Sequence, residues 1–427
     1  MKALYIKNLR CFAEPGWIPL APVTLLVGEN SSGKTTFLAA ARMASDLANG
    51  RQGEFDFNEE PFRLGAFEQL AHYKGGRGGR AKAFELGLEQ VETLFRAIRE
   101  GSPQQQSFSV KTQGTFASVD AQPKLVAWTQ TCDKDYVRAA LPNPTAEVGT
   151  VHIDYQIGDQ RRERREPSLG FLPRPGFLPR SWLQELPESS RSGFLARRPL
   201  FHGGQERPWA FAPIRSHPER TFDRKMAAMQ PSGAHVPMLL AQYDGQKRWA
   251  PLRRALDDFG QSSGLFQKLE VKQLGRSKSS PFQLQLKLSG PAINLIDVGY
   301  GVSQALPLVF DILRAPNNQS FLLQQPEVHL HPRAQAAFGS LLLQLAKSTG
   351  KQFVVETHSD HIVDRVRMDV RDHKGLSPDD VVILYFEREG TEVKIHPIRV
   401  DKQGNLIGVP PGYRRFFLEE ERRFLAG

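Results

Sequence analysis

The run Gly28-Glu29-Asn30-Ser31-Ser32-Gly33-Lys34-Thr35 has the residue types and spacing needed to hold a polyphosphate. It fits GxxxxGK[ST], with the apolar segment PVTLLV at 22–27 before it and FLAAARMASDL after it. Gly28 and Gly33 allow backbone angles that turn successive N–H groups inward. Those groups, with the N-terminus of the following helix, favour phosphate oxygens. In this arrangement Lys34 reaches the β- and γ-phosphates and Thr35 ligates magnesium, while Asn30, Ser31, Ser32 and Thr36 complete the cradle. The expected cofactors are ATP and Mg2+. The competing reading, a chance glycine turn before a helix, fits the strand–loop–helix context less well.

Two other groupings invite chemistry. His329, His331, His358, Asp360 and His361 are dense enough to suggest a metal site. Arg161, Arg162, Arg164 and Arg165 alternate with Glu163 and Glu166, as in a solvated segment or a nucleic-acid contact. Cys11 and Cys132 make neither a CxxC pair nor a disulfide framework, which fits a reducing cytosol.

The elements that must position the loop follow from the apolar patterning. Residues 3–9 read as a first strand and 22–27 as a second, buried on both faces because its apolar residues do not alternate. A helix starts near Lys34. Residues 83–90 and 107–156 read as strands with turns. From about 160 to 235 the chain is rich in Arg, Pro, Gly and Phe, with GFLPR at 170–174 and again at 176–180, and reads as an irregular insertion. After 236, strands are expected at 282–290, 320–327 and 351–359. Helices are expected at 302–314, despite Pro307, and over RAQAAFGSLLLQLAKST, stopped by Gly350. Residues 380–400 read as a hairpin and 401–427 as a closing tail. Alternating strands and helices imply a parallel sheet with helices on its faces.

With 427 residues, 40% of them hydrophobic and 24% charged, the chain has room for a large core or for two to three lobes. Its net charge of +10 permits a nucleic-acid or acidic partner without establishing one. No apolar run is long enough to span a bilayer, and MKALYIKNLRCF has no secretory h-region, so a cytoplasmic protein without a membrane is expected.

Beyond these readings, the chain resembles a known group. Its phosphate loop and later motifs lie some three hundred residues apart. This resembles ATP-binding-cassette folds of the SMC and RecF kind, in which an insertion splits the ATPase. The opening LYIKNLRCF is similar to that group's first strand, and Arg10 matches its arginine near the nucleotide. AFAPIRSHPERTF at 210–222, DVGYGVSQALPLV at 297–309, QQPEVHLHPRAQ at 324–335 and ETHSDHIVDRV at 356–366 resemble OLD-type (overcoming lysogenisation defect) ATPases and their stand-alone relatives. The resemblance implies an α/β fold of the ABC type, SMC/RecF-like, split by a long insertion. It implies an N-terminal half at 1–95, an insertion at 96–235, a C-terminal half at 236–400 and a tail at 401–427.

The resemblance also assigns roles. GYGVSQ stands for the signature motif, so Gly301 and Ser303 would approach a γ-phosphate held by an opposite subunit; the alternative is a glycine turn capping a core helix. FLLQQPE stands at Walker B, with Gln324 where an acidic residue helps hold magnesium and Gln325 where the catalytic glutamate lies. An amide keeps the shape of a carboxylate but cannot act as a general base. Either Gln324 is an engineered Glu-to-Gln trap, or the natural protein binds ATP and hydrolyses it slowly. His358 matches the switch histidine that senses the γ-phosphate, while Glu327, His329 and His331 fall on the segment passing between subunits. Arg215 would reach nucleotide or lie at the base of the inserted arm, with a buried structural arginine as the alternative.

The activity implied is an ATPase that forms a head-to-tail homodimer or higher oligomer around ATP. About seventy residues follow His358, which leaves no room for the Toprim nuclease of many OLD proteins. The implied partner is therefore a separate effector, a nuclease or toxin, in bacterial anti-phage defence. The alternatives are a RecF-like DNA repair ATPase and, less compatible with the absence of LSGGQ, a transporter subunit.

Overall fold

The structure is a computed structural model. It describes residues 1–50, 55–96, 104–146, 148–168, 206–224, 228–247, 249–277, 279–372 and 377–413, together with a few isolated positions in 172–184 and 419–425. The GFLPR repeats and most of the expected irregular insertion lie outside the described residues.

The chain divides into two compact units that cut across its linear order. The first comprises Met1–Leu20, Glu29–Arg207 and Phe386–Ile395; the second comprises Ala21–Gly28, Pro208–Tyr385 and His396–Gly427. These boundaries differ from a linear division at 95, 235 and 400, because strands distant in sequence pair with one another.

The first unit is built on β1 (Ala3–Lys7), β2 (Gly16–Pro19), α1 (Lys34–Ala48), β4 (Ala83–Arg96), β5 (Gln104–Val119), β6 (Gln122–Cys132), β7 (Asp135–Ala140), β8 (Gly149–Ile157) and β9 (Gln160–Ser168). The strands form one antiparallel sheet in the order β2-β1-β4-β5-β6-β7-β8-β9. Alternation decides its faces. In β8, Val151, Ile153, Tyr155 and Ile157 are buried with Trp128, Val137 and Leu47, whereas His152 and Asp154 point away from that core. β9 corrects the sequence reading. Residues 160–168 were expected to begin the irregular stretch, but they pair with β8 over their whole length as the last strand of the sheet. The arginine–glutamate alternation lies on this strand, where charge discourages edge-to-edge pairing.

The second unit holds β3 (Val23–Gly28), β10 (Trp209–Phe211), α2 (Val236–Tyr243), α3 (Trp249–Ser263), β11 (Lys268–Gln273), β12 (Phe282–Lys287), β13 (Ile293–Asn294), α4 (Tyr300–Arg314), β14 (Ser320–Gln324), α5 (Pro332–Thr349), β15 (Gln352–Glu356), α6 (Asp360–Arg371), β16 (Val381–Glu389), β17 (Glu392–Val400) and β18 (Leu406–Ile407). The tip of the β16–β17 hairpin counts with the first unit. The main sheet runs β10-β14-β15-β3-β16-β17-β18, and β10, β14, β15 and β3 are parallel neighbours. β14 and β15 are buried at every position, which explains their unbroken apolar runs. β10 lies inside the stretch expected to be irregular, so that expectation is corrected here too.

Helix ends follow local chemistry. α5 starts with His331 accepting the Arg333 N–H at 3.3 Å and Pro332 in its first turn. It ends at Gly350, whose left-handed φ of 67° closes the last turn. α6 is capped by Ser359, whose hydroxyl accepts the Ile362 N–H at 3.1 Å. No described helix is long and apolar enough to cross a membrane.

Candidate functional site

β3 delivers its C-terminal end, Gly28, to the phosphate loop. Three loop residues have left-handed backbone: Gly28 at φ 144°, Ser31 at 60° and Gly33 at 90°. Such angles alternating with ordinary ones direct N–H groups to one side, as an anion cradle requires. Gly33 is also fixed by packing, since a Cβ there would stand 2.5 Å from Cys11 Sγ and 3.0 Å from the Phe12 ring. α1 starts directly after it, with the Phe37 N–H donating to the Gly33 carbonyl at 2.9 Å. Lys34 is only 2% exposed. Its ammonium donates to the Glu29 carbonyl at 2.7 Å and to the Ser32 hydroxyl at 3.4 Å, which holds the charge against the loop's own backbone.

Arg10 belongs to the same unit. Its guanidinium donates to Thr36 Oγ1 at 3.3 Å, to the Leu64 carbonyl at 2.7 Å and to the Gln69 carbonyl at 3.3 Å. This ties it to the first turn of α1. Burial lowers its pKa, opposed by the neighbouring Cys11.

Sequence reasoning missed Arg388. It lies at the tip of the terminal hairpin and donates to the Ser31 carbonyl. Phe386, two residues earlier, packs edge-on against Phe37 at 5.5 Å and Phe12 at 6.2 Å, and the Val393 N–H donates to the Cys11 carbonyl at 2.9 Å. Burial pushes the Cys11 thiol pKa up, with Arg388 opposing. No local sequence signal marks Arg388, because its partner is 357 positions away.

Gly28, Gly301, Ser303, Gln324, Gln325 and His358 count with the second unit, and the other predicted site residues with the first. In the second unit, β14, β15 and β3 end together: Gln324 is in register with Glu356, and Glu356 with Leu26. Gln324 is buried, and its Nε2 has no hydrogen-bond partner among the described residues. Gln325 follows with φ 41°, its N–H donating to the Glu356 carbonyl at 2.8 Å. His358 is exposed, and its backbone N–H donates to Glu327 Oε1 at 2.7 Å. Burial raises the Glu327 pKa, opposed mainly by that hydrogen bond. Glu356, a buried carboxylate beside Gln324, was also missed. It sits at a strand end that reads as purely structural.

The signature segment gives Gly301 a local reason. A Cβ at Gly301 would lie 2.5 Å from the His329 carbonyl oxygen, so the first turn of α4 packs closely on the loop after β14. His329 itself has φ 66°, and its ring meets Tyr300 edge-on at 4.6 Å. Ser303 is 4% exposed, and its hydroxyl donates to the Tyr300 carbonyl at 2.8 Å. Arg215 is buried, as in the structural alternative, and burial lowers its pKa to about 10 with Glu327 opposing. Among the described residues, no three His, Cys, Asp or Glu side chains gather to hold a metal, the histidines near 329–361 included.

Residues 245–363 match a family described as AAA ATPase domain. The chain is 26% identical over 409 residues to the OLD nuclease of Thermus scotoductus, an alignment covering 93% of this chain and 66% of that protein. The chain thus spans just under two thirds of the length of that curated relative. Among solved structures, the SmcHead bound to the C-winged helix domain of ScpA shares 12% identity, covers 94% of this chain and 98% of its own, and has a TM-score of 0.47. The SMC head domain from Thermotoga maritima shares 14% identity, covers 93% and 99%, and has a TM-score of 0.37. With a phosphate loop at the end of a buried parallel strand and the AAA ATPase match over 245–363, the chain has an α/β P-loop ATPase fold and is similar to OLD-type ATPases.

Proposed function

We propose that this chain is an ATP-binding switch that hydrolyses its nucleotide slowly. The observation that carries the reading is the phosphate loop, with its left-handed backbone at Gly28, Ser31 and Gly33 and the Lys34 ammonium held against it. Such a loop recognises phosphate through backbone N–H groups and one cation. Phosphoryl transfer to water needs positioning and charge stabilisation more than covalent chemistry. Gln324 and Gln325 supply position without charge or basicity, so binding outlasts turnover.

The Thr35 hydroxyl is the hard-oxygen group of the phosphate loop that would hold Mg2+, which neutralises charge on the β- and γ-phosphates when bound.

In this reading two copies associate around ATP, with Gly301 presented by one copy and the phosphate loop by the other. ATP favours the closed pair by its differential affinity for it. The similarity to an OLD nuclease supports a setting in which the pair, in the cytoplasm, restrains or licenses a separate nuclease or toxin in anti-phage defence. Purification together with the product of the neighbouring gene, with and without ATP and read by native mass, tests this. An ATP-dependent complex supports the switch. A nucleotide-indifferent monomer contradicts it, and salt-dependent, ATP-stimulated duplex DNA binding would favour a repair ATPase instead.

A further inference from the structure

The arginine–glutamate alternation of β9 has no part in ATP binding, and the register of the sheet gives it a use of its own. Residues directly opposite one another on antiparallel neighbours share a face. Arg138 of β7 lies opposite Asp154 of β8, which lies opposite Glu163 of β9. In the next row Ala140 lies opposite His152, which lies opposite Arg165. These six residues stand side by side on the outer face of three strands, and they line a cavity of about 490 Å3.

The two carboxylates of the cavity are already engaged. Arg161, one row further along, meets both Asp154 oxygens, at 3.1 and 3.0 Å, and Glu163 at 3.2 Å. The Tyr136 hydroxyl adds a donor to Asp154 at 3.1 Å. Arg138, His152 and Arg165 are exposed, and their side chains make no hydrogen bond or ion pair with the described residues. The acids are thus neutralised by Arg161, while two arginines and an imidazole keep their hydrogen-bonding capacity for something else.

The shape selects among anions. A cavity of this volume suits a small molecule. A nucleic-acid backbone needs cations strung along a track, whereas the same two rows continue on β6 and β5 with Thr129, Ala127, Gln113 and Thr115, which carry no charge. Strands about 4.8 Å apart and residues about 3.4 Å apart along them put the Arg138 and Arg165 backbones roughly 12 Å from each other. A molecule with two separated phosphate groups bridges that spacing, and the planar guanidinium fork fits phosphate.

We propose that the outer face of β7, β8 and β9 is a binding site for a small molecule carrying two separated phosphate groups. Arg138 holds one phosphate, Arg165 with His152 holds the other, and Arg161 is a positioning residue that keeps Asp154 and Glu163 from repelling the ligand. The site shares no residue with the phosphate loop and stands whether or not the chain is an ATP switch.

Calorimetric titration of the full chain tests it. Lys34→Ala is the common background, so that the phosphate loop does not take up the probes; the wild type in saturating ATP and Mg2+ serves equally if that variant fails to fold. The probes are fructose 1,6-bisphosphate and adenosine 3′,5′-bisphosphate, which share two separated phosphates and distinguish a sugar from a nucleotide source. Saturable binding of at least one is expected. Arg138→Gln combined with Arg165→Gln should weaken it about 100-fold, roughly tenfold for each charge-assisted contact. Glu163→Gln removes a negative charge from the cavity and should tighten binding about twofold. All three side chains are exposed, and unchanged thermal melts check that the variants fold. Binding of neither probe, or binding indifferent to the paired arginine changes, would overturn the proposal. So would a DNA oligonucleotide that binds more tightly than both probes and is lost in the same double variant.

Discussion

The loop after β3 and the loop after β14 both leave buried parallel strands, yet they offer opposite chemistry. The first concentrates left-handed backbone, inward N–H groups and one cation, Lys34. The second presents two amides, Gln324 and Gln325, where acidic groups are expected, with the carboxylates of Glu327 in the same loop and of Glu356 at the end of β15 both buried. In the proposed reading, electrostatic attraction for a polyphosphate is kept in one region while the means to activate water is weakened in the other, so that binding and turnover are separable.

That separation can be broken from either side. Lys34→Ala removes the cation from the loop and should weaken ATP binding about 100-fold or more, roughly 3 kcal/mol for a charge-assisted phosphate contact; titration with a fluorescent ATP analogue measures it. Restoring acidity at the other end should act oppositely. The double change Gln324→Asp and Gln325→Glu should raise phosphate release by about 100-fold, within the range for a positioned general base, with ATP affinity little changed.

Gly33→Ala tests the geometry of the loop itself. A Cβ at φ 90°, 2.5 Å from Cys11 Sγ, must displace that thiol, and the strain is about 1–3 kcal/mol. A lowered melting temperature, partly recovered by adding Cys11→Ala, is the expected result. The smallest effect is the pH dependence of Glu327. Its folded pKa is raised, so its contribution to stability is fully present below the ordinary carboxylate value of 4.5 and is lost as pH rises through the raised value. Glu327→Gln should remove that decline, and the difference in stability between the wild type and the variant should therefore shrink toward acid pH, as read by denaturant melts at a series of pH values.

Much of this was legible in sequence. The unbroken apolar runs of β3, β14 and β15 marked a parallel sheet, and Gly350 marked the end of α5, because each depends on local patterning. β9 was not legible, since a strand whose outward face alternates Arg and Glu carries no apolar period. Arg388 and Glu356 were hidden for another reason. Their meaning depends on partners brought by the fold, the Ser31 carbonyl for one and Gln324 across a strand register for the other. The two compact units were also invisible, because the strand that feeds the phosphate loop pairs with strands more than three hundred residues later.

The central claim is that the chain holds ATP better than it hydrolyses it. One measurement tests it directly: equilibrium binding of ATP with Mg2+ by calorimetry, with the nucleotide recovered afterwards and its ADP content quantified. The account predicts saturable binding with nearly all nucleotide recovered as ATP, and loss of that binding in Lys34→Ala. Absence of binding, or steady conversion to ADP at the rate of an ordinary ATPase, would contradict it.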